Sequence, residues 1–246
     1  MLAYDLSADV STPLDQRKVD PQPGDFLTGL VVLLDPRHVV TSGGKIVTFT
    51  DHGVTQADAT KRATLATSAA FSDEPVAVFA GVSSGAHCFY TLPNLSALTA
   101  CEAFIVLACT YGTGGIPFPN DTVTGLWSTG NGLPTHYPHD SGGIYESFGT
   151  TARYAVGPPA ITMTQPHVYT LRSAAGLFAV AHNAAAPLFT TASNTVQFSA
   201  APVLGVQGSV ALNASVALLA ICDRVQTTEA RAAFYAYLAY RFGIAM

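Results

Sequence analysis

Charge is scarce in this 246-residue chain: 11% of residues are Asp, Glu, Lys or Arg, against 49% hydrophobic. The net charge of -5 includes no basic stripe to neutralise phosphates, which argues against nucleic acid and against an anionic membrane as partners. No apolar run reaches the roughly 18 residues needed to cross a bilayer, so membrane insertion is not expected. The opening Met1-Leu-Ala-Tyr-Asp-Leu6 lacks a basic n-region, which predicts synthesis in the cytoplasm without a signal peptide. Four cysteines, Cys88, Cys101, Cys109 and Cys222, have no Cys-x-x-Cys spacing and read as small buried hydrophobes rather than a disulfide framework or metal site. Heptads and internal repeats are missing too, which excludes a fibrous stalk.

What remains is a chain written in short strands. Leu30 to Leu34, Ile46 to Phe49, Val76 to Phe79, Phe104 to Cys109, His167 to Leu171, Leu177 to Ala181, Thr195 to Phe198 and Val216 to Cys222 are apolar or alternating and are separated by turn residues. The segments at Phe104 and Val216 are apolar at both parities, as strands covered on both faces are. Leu171 to Leu177 reads as a hairpin turn, with Gly176 supplying a positive φ. One convincing helix, residues 227–242, closes the chain. Phe234, Tyr237, Leu238 and Phe242 fall on one stripe, Arg231 and Arg241 are placed in solvent, Thr227 or Thr228 caps the start and Gly243 the end. Together these predict one all-β domain, residues 28–246, with a single helix docked on a sheet. Residues 1–27, with Pro13, Pro21, Pro23 and Gly24, read as an extended arm available to dock elsewhere.

Tyr111 to Pro159 differs from the rest, being rich in Gly, Pro, Asn, Asp and Ser yet holding the sole tryptophan, Trp127. Long aromatic-bearing loops often carry function.

Leu33-Leu-Asp35, Ile46-Val-Thr-Phe-Thr-Asp-His-Gly53, Val76-Ala-Val-Phe-Ala-Gly81 and the terminal stretch from Cys222 to Ile244 resemble the laminin-G-like, concanavalin A-like domains of bacteriophage and prophage structural proteins, including those of gene-transfer-agent-like particles. Leu126-Trp-Ser-Thr-Gly-Asn-Gly132 and Thr135 to Arg153 are similar to the central segment of that group. The chain departs from the pattern at Phe242, where relatives usually carry Trp, and at His182-Asn183-Ala184, where they carry Asn-Gly. The resemblance implies a two-sheet antiparallel jelly roll whose relatives include carbohydrate-binding modules, adhesins, virion fibres or decorations, and some glycanases.

Several constellations bear on chemistry. Gly81-Val-Ser-Ser-Gly85 matches a nucleophile elbow, but Cys88-Phe-Tyr-Thr-Leu92 continues as a strand where that motif needs a helix, so a turn is the better reading. Glycoside hydrolysis needs paired carboxyl groups; Asp140 and Glu146 are the nearest candidates, and the Glu-x-Asp-x-x-Glu cluster of concanavalin-like glycanases is missing. No enzymatic activity is therefore expected. His136-Tyr-Pro-His139-Asp140 offers metal-ligating side chains on an irregular segment, and no metal or other cofactor is assigned there. Calcium stays open through Asn120, Asp121 or Asp140, because lectin-like relatives use such oxygens beside the sugar.

Sugar binding is chemically easier. Pyranose C–H faces stack on aromatics while hydroxyls bond to polar side chains, and Trp127, Asn131, His136, Tyr137, His139, Asp140 and Tyr145 supply both kinds. The alternative is that Trp127, Tyr137 and Tyr145 pack the loop against the sheet. These readings predict a non-enzymatic, multi-copy virion protein, a head spike, decoration protein or fibre tip. The arm would hold it to other virion proteins, and the lectin-like domain would meet host-surface glycan. The alternatives are a purely structural decoration protein without sugar binding and a polysaccharide-degrading glycosidase.

Overall fold

The computed structural model describes residues 21–80, 87–110, 126–128, 135–139, 142–207 and 210–246. In chain order its strands are β1 (Leu30–Leu34), β2 (Val39–Ser42), β3 (Lys45–Phe49), β4 (Val54–Thr55), β5 (Thr64–Ser68), β6 (Glu74–Phe79), β7 (Tyr90–Thr91), β8 (Ala100–Cys109) and β9 (Trp127–Ser128). They continue with β10 (Ile144–Glu146), β11 (Tyr154–Gly157), β12 (His167–Ala174), β13 (Leu177–His182), β14 (Phe189–Thr191), β15 (Val203–Leu204), β16 (Val206–Gln207), β17 (Val210–Ala211) and β18 (Ala214–Cys222), followed by helix α1 (Thr228–Phe242).

Among the described residues, an 11-stranded antiparallel sheet carries the fold, in the order β14-β13-β12-β8-β18-β6-β5-β3-β2, with β1 paired to β18 and β4 to β3. The long strands β8 and β18 are central because they are apolar on both faces. Along β8, Cys101, Ala103, Ile105, Leu107 and Cys109 enter one core, while Phe104 and Val106 enter the other. The first core is closed by the small sheet β7-β15-β9 and by β10-β11, through Tyr90, Trp127, Ile144 and Leu204. The second is closed by α1. The result is the all-β, sandwich-like architecture with one C-terminal helix that the patterning predicts.

The helix begins where Thr227 Oγ1 accepts from the Ala230 amide at 3.1 Å, and ends at Gly243 with φ 65°. Phe234, Leu238 and Phe242 are fully buried on the predicted stripe. Each contributes on the order of 1.5–3 kcal/mol by leaving water. Arg241 does not stay in solvent. Its guanidinium is buried, donating to Asp35 Oδ2 at 2.7 Å, Asp35 Oδ1 at 2.9 Å and Glu74 Oε2 at 2.8 Å. Arg231 is likewise half-buried on Glu102, Nε to Oε1 at 2.5 Å. Two acidic side chains presented by the sheet face, at Asp35 and Glu102, draw both arginines inward, so the helix is pinned by charge as well as by its apolar stripe.

The boundary of the N-terminal arm also shifts. Pro23–Asp25 form a 3₁₀ turn, Phe26 stacks on Tyr237 with centroids 5.1 Å apart, and Leu27 is buried with the α1 core. Residues 23–27 therefore belong to the domain, because Phe26 and Leu27 supply apolar surface that the exposed flank of α1 needs covered. Residues 1–20 lie outside the described residues. The predicted strand at Thr195 to Phe198 is reduced to an isolated bridge, Val196 with Thr150, because its backbone bonds to the 149–151 turn: Thr151 N to Thr195 O, and Gln197 N to Gly149 O, each 3.1 Å. The β12–β13 hairpin turns at Ala175-Gly176, with Gly176 at φ 72°, as the sequence predicts. The four cysteines are free and buried, and burial pushes the Cys109 thiol up to about 12.

Candidate functional site

Two layers make up the described part of the segment singled out by its aromatics. The inner layer is sealed. Trp127, on β9, has no exposed surface and donates Nε1–H to Glu146 Oε1 at 3.1 Å. That same oxygen accepts from Thr135 Oγ1 at 2.8 Å and from the amides of Ser147 and Phe148 at 2.8 and 2.9 Å. Tyr169 donates to the other oxygen at 2.9 Å. Burial raises the Glu146 carboxyl above its usual range, against the pull of these donors. Glu146 is thus a structural acceptor at the centre of the inner core, with no face left for a glycosidic bond. Sequence reasoning could have found it through the indole N–H, since a buried tryptophan needs an acceptor.

Tyr137 is equally sealed. Its ring lies 4.3 Å from that of Tyr169, and its hydroxyl sits between His167 Nε2 at 2.7 Å and His182 Nε2 at 2.9 Å. The protons of this relay follow from its ends. His167 Nδ1 lies 2.8 Å from the Gln165 carbonyl, which can only accept, so Nδ1 carries the hydrogen and the bare Nε2 accepts from Tyr137. The tyrosine oxygen then accepts from His182 Nε2–H, leaving His182 Nδ1 bare. That atom is buried and has no hydrogen-bond partner among the described residues. Burial lowers both imidazoles, His167 to about 4 and His182 to about 3, the latter helped by its neighbour His167. Neither histidine was among the residues predicted for the site, although His182 falls in the departure from the phage pattern.

Trp127 and Tyr137 are consequently not stacking platforms at the surface. Both rings are enclosed by the first core, and their polar atoms are taken up by Glu146 and by the two histidines. They follow the packing alternative.

The outer layer is different. His136 and Tyr145 are joined by a pair of backbone hydrogen bonds, His136 N to Tyr145 O at 2.8 Å and Tyr145 N to His136 O at 3.1 Å. His139 N bonds to Gly143 O at 2.7 Å, which closes the hairpin and sets His139 above its base; the Tyr137–Pro138 peptide within it is cis. The rings of His136 and His139 are 5.0 Å apart, and those of His139 and Tyr145 also 5.0 Å, both edge to face. Arg153, just before β11, places its guanidinium carbon 4.7 Å from the Tyr145 ring centroid. His139 and Tyr145 are half-buried, Arg153 is exposed and His136 forms the buried base. Aromatic faces, imidazole nitrogens and guanidinium donors thus meet where His136, His139 and Tyr145 face Arg153. Arg153 is a member that the sequence reading did not assign to the site.

Asn131 and Asp140, and the calcium candidates Asn120 and Asp121, lie outside the described residues, as does the Gly81 to Gly85 turn. Among the described residues, no group of three or more His, Cys, Asp or Glu side chains converges to hold a metal ion.

No protein-family model matches this chain, and no curated protein matches it. Solved structures do. The binding domain of Paraclostridial Mosquitocidal Protein 1 superposes with a TM-score of 0.61 at 9% identity, covering 88% of this chain and 53% of that one. The likeness is one of fold. Trypanosoma rangeli sialidase gives 0.54 at 14% identity over 87% of this chain, which spans only 33% of the sialidase. Domain 4 of AbnA, an extracellular arabinanase of Geobacillus stearothermophilus in complex with arabinotriose, gives 0.51 at 11% identity over 87% of this chain and 98% of that domain.

Proposed function

We propose that the protein is a non-enzymatic carbohydrate-binding module whose sugar contacts lie on the outer layer, with Tyr145, His139 and Arg153 as the contacting side chains. The observation that carries this reading is the Tyr145–Arg153 stack beside His139, a partly exposed surface on which a pyranose face can lie while guanidinium and imidazole groups bond to its hydroxyls. The fold it shares with an arabinanase domain whose structure is in complex with arabinotriose supports the same class. Absence of catalysis is supported by Glu146, whose two oxygens are both engaged inside the core. A glycan array probed with the full chain tests the proposal: selective binding that Tyr145→Ala abolishes supports it, and an array with no selective signal contradicts it.

The finer reading, a virion protein displaying this module toward host glycan, rests on the phage-type sequence resemblance alone. Residues 1–20 then serve as the anchor to other virion proteins. Deleting residues 1–20, and not 1–27, is the appropriate test, because Phe26 and Leu27 complete the helix core. Loss of incorporation into particles with the domain still folded supports the anchor; normal incorporation removes it. A structural decoration role without sugar binding is favoured only by a silent array.

A further inference from the structure

On the opposite side of the sheet from the inner core, α1 and the β12–β13 hairpin enclose an open groove of about 490 Å³. Its walls are apolar and small: Ala181, Ala184 and Pro187 on one side, Ala232, Ala236 and Ala239 on the other. Arg172 lies in the lining, on the helix-facing side of β12, in register with Glu102 on β8. That register would ordinarily join the two side chains. It does not; Glu102 is engaged from the helix instead: Arg231 binds both its oxygens, at 2.5 and 3.0 Å, and the Gln226 amide donates to Oε2 at 2.7 Å. The Arg172 guanidinium, half-buried, has no hydrogen bond or ion pair among the described residues. One surplus cation therefore faces a groove whose other polar lining includes Thr228, the hydroxyls of Thr170 and Tyr235, which bond to each other at 2.8 Å, and Arg231, whose guanidinium is taken up by Glu102 and the Gln226 carbonyl.

We propose that this groove binds a small amphiphilic anion, a carboxylate carried on an aliphatic or aromatic body. The body removes the alanine and proline walls from water, and the head supplies the charge that Arg172 lacks, by a bidentate guanidinium–carboxylate pair. Charge complementarity selects this occupant over a neutral apolar molecule, and the small side chains leave room for its chain. The site is separate from the Tyr145 hairpin and independent of the sugar-binding reading.

Calorimetric titration of the full chain with octanoate, 1-octanol and acetate tests it. The expected result is saturable octanoate binding, with 1-octanol and acetate each at least about tenfold weaker, because each lacks one half of the recognition. Arg172→Gln should bring octanoate down to the level of 1-octanol, and Ala236→Phe, on the exposed side of the helix, should abolish binding by filling the groove, with both variants checked for native circular dichroism. Absence of saturable octanoate binding, equal binding of octanoate and 1-octanol, or unchanged binding in Arg172→Gln overturns the proposal.

Discussion

Glu146 shows how far one residue's role depends on what converges on it. In sequence it is a lone carboxylate in a polar loop, an acceptable catalytic acid. Its four donors on one oxygen and Tyr169 on the other make it the hub on which Trp127, Thr135 and the Ser147-Phe148 backbone are fixed. Replacing it with Ala leaves buried donors without acceptors, so Glu146→Ala is expected to cost 3 kcal/mol or more of unfolding free energy, on the order of 1–3 kcal/mol for each stranded group after relaxation. Chemical denaturation measures this, and a loss below 1 kcal/mol would show that the hub is dispensable. Trp127, with an acceptor on one atom and Phe148 and Tyr169 around its ring, was legible only as an aromatic; a two-residue strand such as β9 is too short to leave a period in the sequence.

The Tyr137 relay makes a prediction about pH. His167 and His182 titrate near 6.5 when unfolded but near 4 and 3 when folded. Below pH 6.5 the unfolded chain therefore takes up protons that the native state refuses, so stability falls as pH falls, and the loss runs down to the folded values. Two such groups remove about 2.7 kcal/mol per pH unit between roughly pH 6 and 4.5. Glu146, whose folded value is raised, acts with the opposite sign: its contribution is fully present below its unfolded value and is lost as pH rises through the folded one. Comparison with a variant isolates the histidine. His182→Asn should flatten the slope of unfolding free energy against pH by about 1.4 kcal/mol per unit in that window. An unchanged slope would mean that His182 is not held neutral in the folded protein.

At the scale of elements, α1 was the clearest reading in the sequence, from its Thr227 cap to its Gly243 stop. Its arginines were misplaced for a physical reason. Helical periodicity reports which face is apolar and is silent about a carboxylate 206 residues away, yet Asp35 Oδ2 lies 2.7 Å from Arg241. Burial opposes ionisation of Asp35, but Arg241 and then Arg37 overcome it and hold its carboxyl below the usual range. Removing one partner should hurt more than removing both. Arg241→Met is expected to cost about 3–5 kcal/mol by leaving Asp35 and Glu74 facing an apolar side chain, whereas the Arg241→Met/Asp35→Leu pair should recover part of that loss. A double-mutant cycle by denaturant titration checks the sign of the coupling; additive losses would contradict a helix pinned by this ion pair. The N-terminal boundary was misread for a similar reason, since Phe26 and Leu27 sit in a Pro- and Gly-rich stretch that carries no period of its own.

The whole molecule was readable as an all-β domain with one docked helix because that information is written locally, in alternation, in the both-parity runs of β8 and β18, and in the helix caps. The candidate site was readable only as a segment. Which of its aromatics face water depends on how β9, β10 and the 135–145 hairpin fold over the large sheet, and that division separates Trp127 and Tyr137, in the core, from His139 and Tyr145, at the rim. The central claim is that the rim recognises sugar while the inner layer only supports it. Calorimetric titration of the strongest array glycan into wild type and Tyr145→Ala, with unfolding free energies measured on the same samples, tests this most directly. The account predicts at least a tenfold loss of affinity with stability changed by less than about 1 kcal/mol, as for a surface aromatic that stacks on a ligand. Glycan affinity unaltered in a stably folded Tyr145→Ala would contradict it.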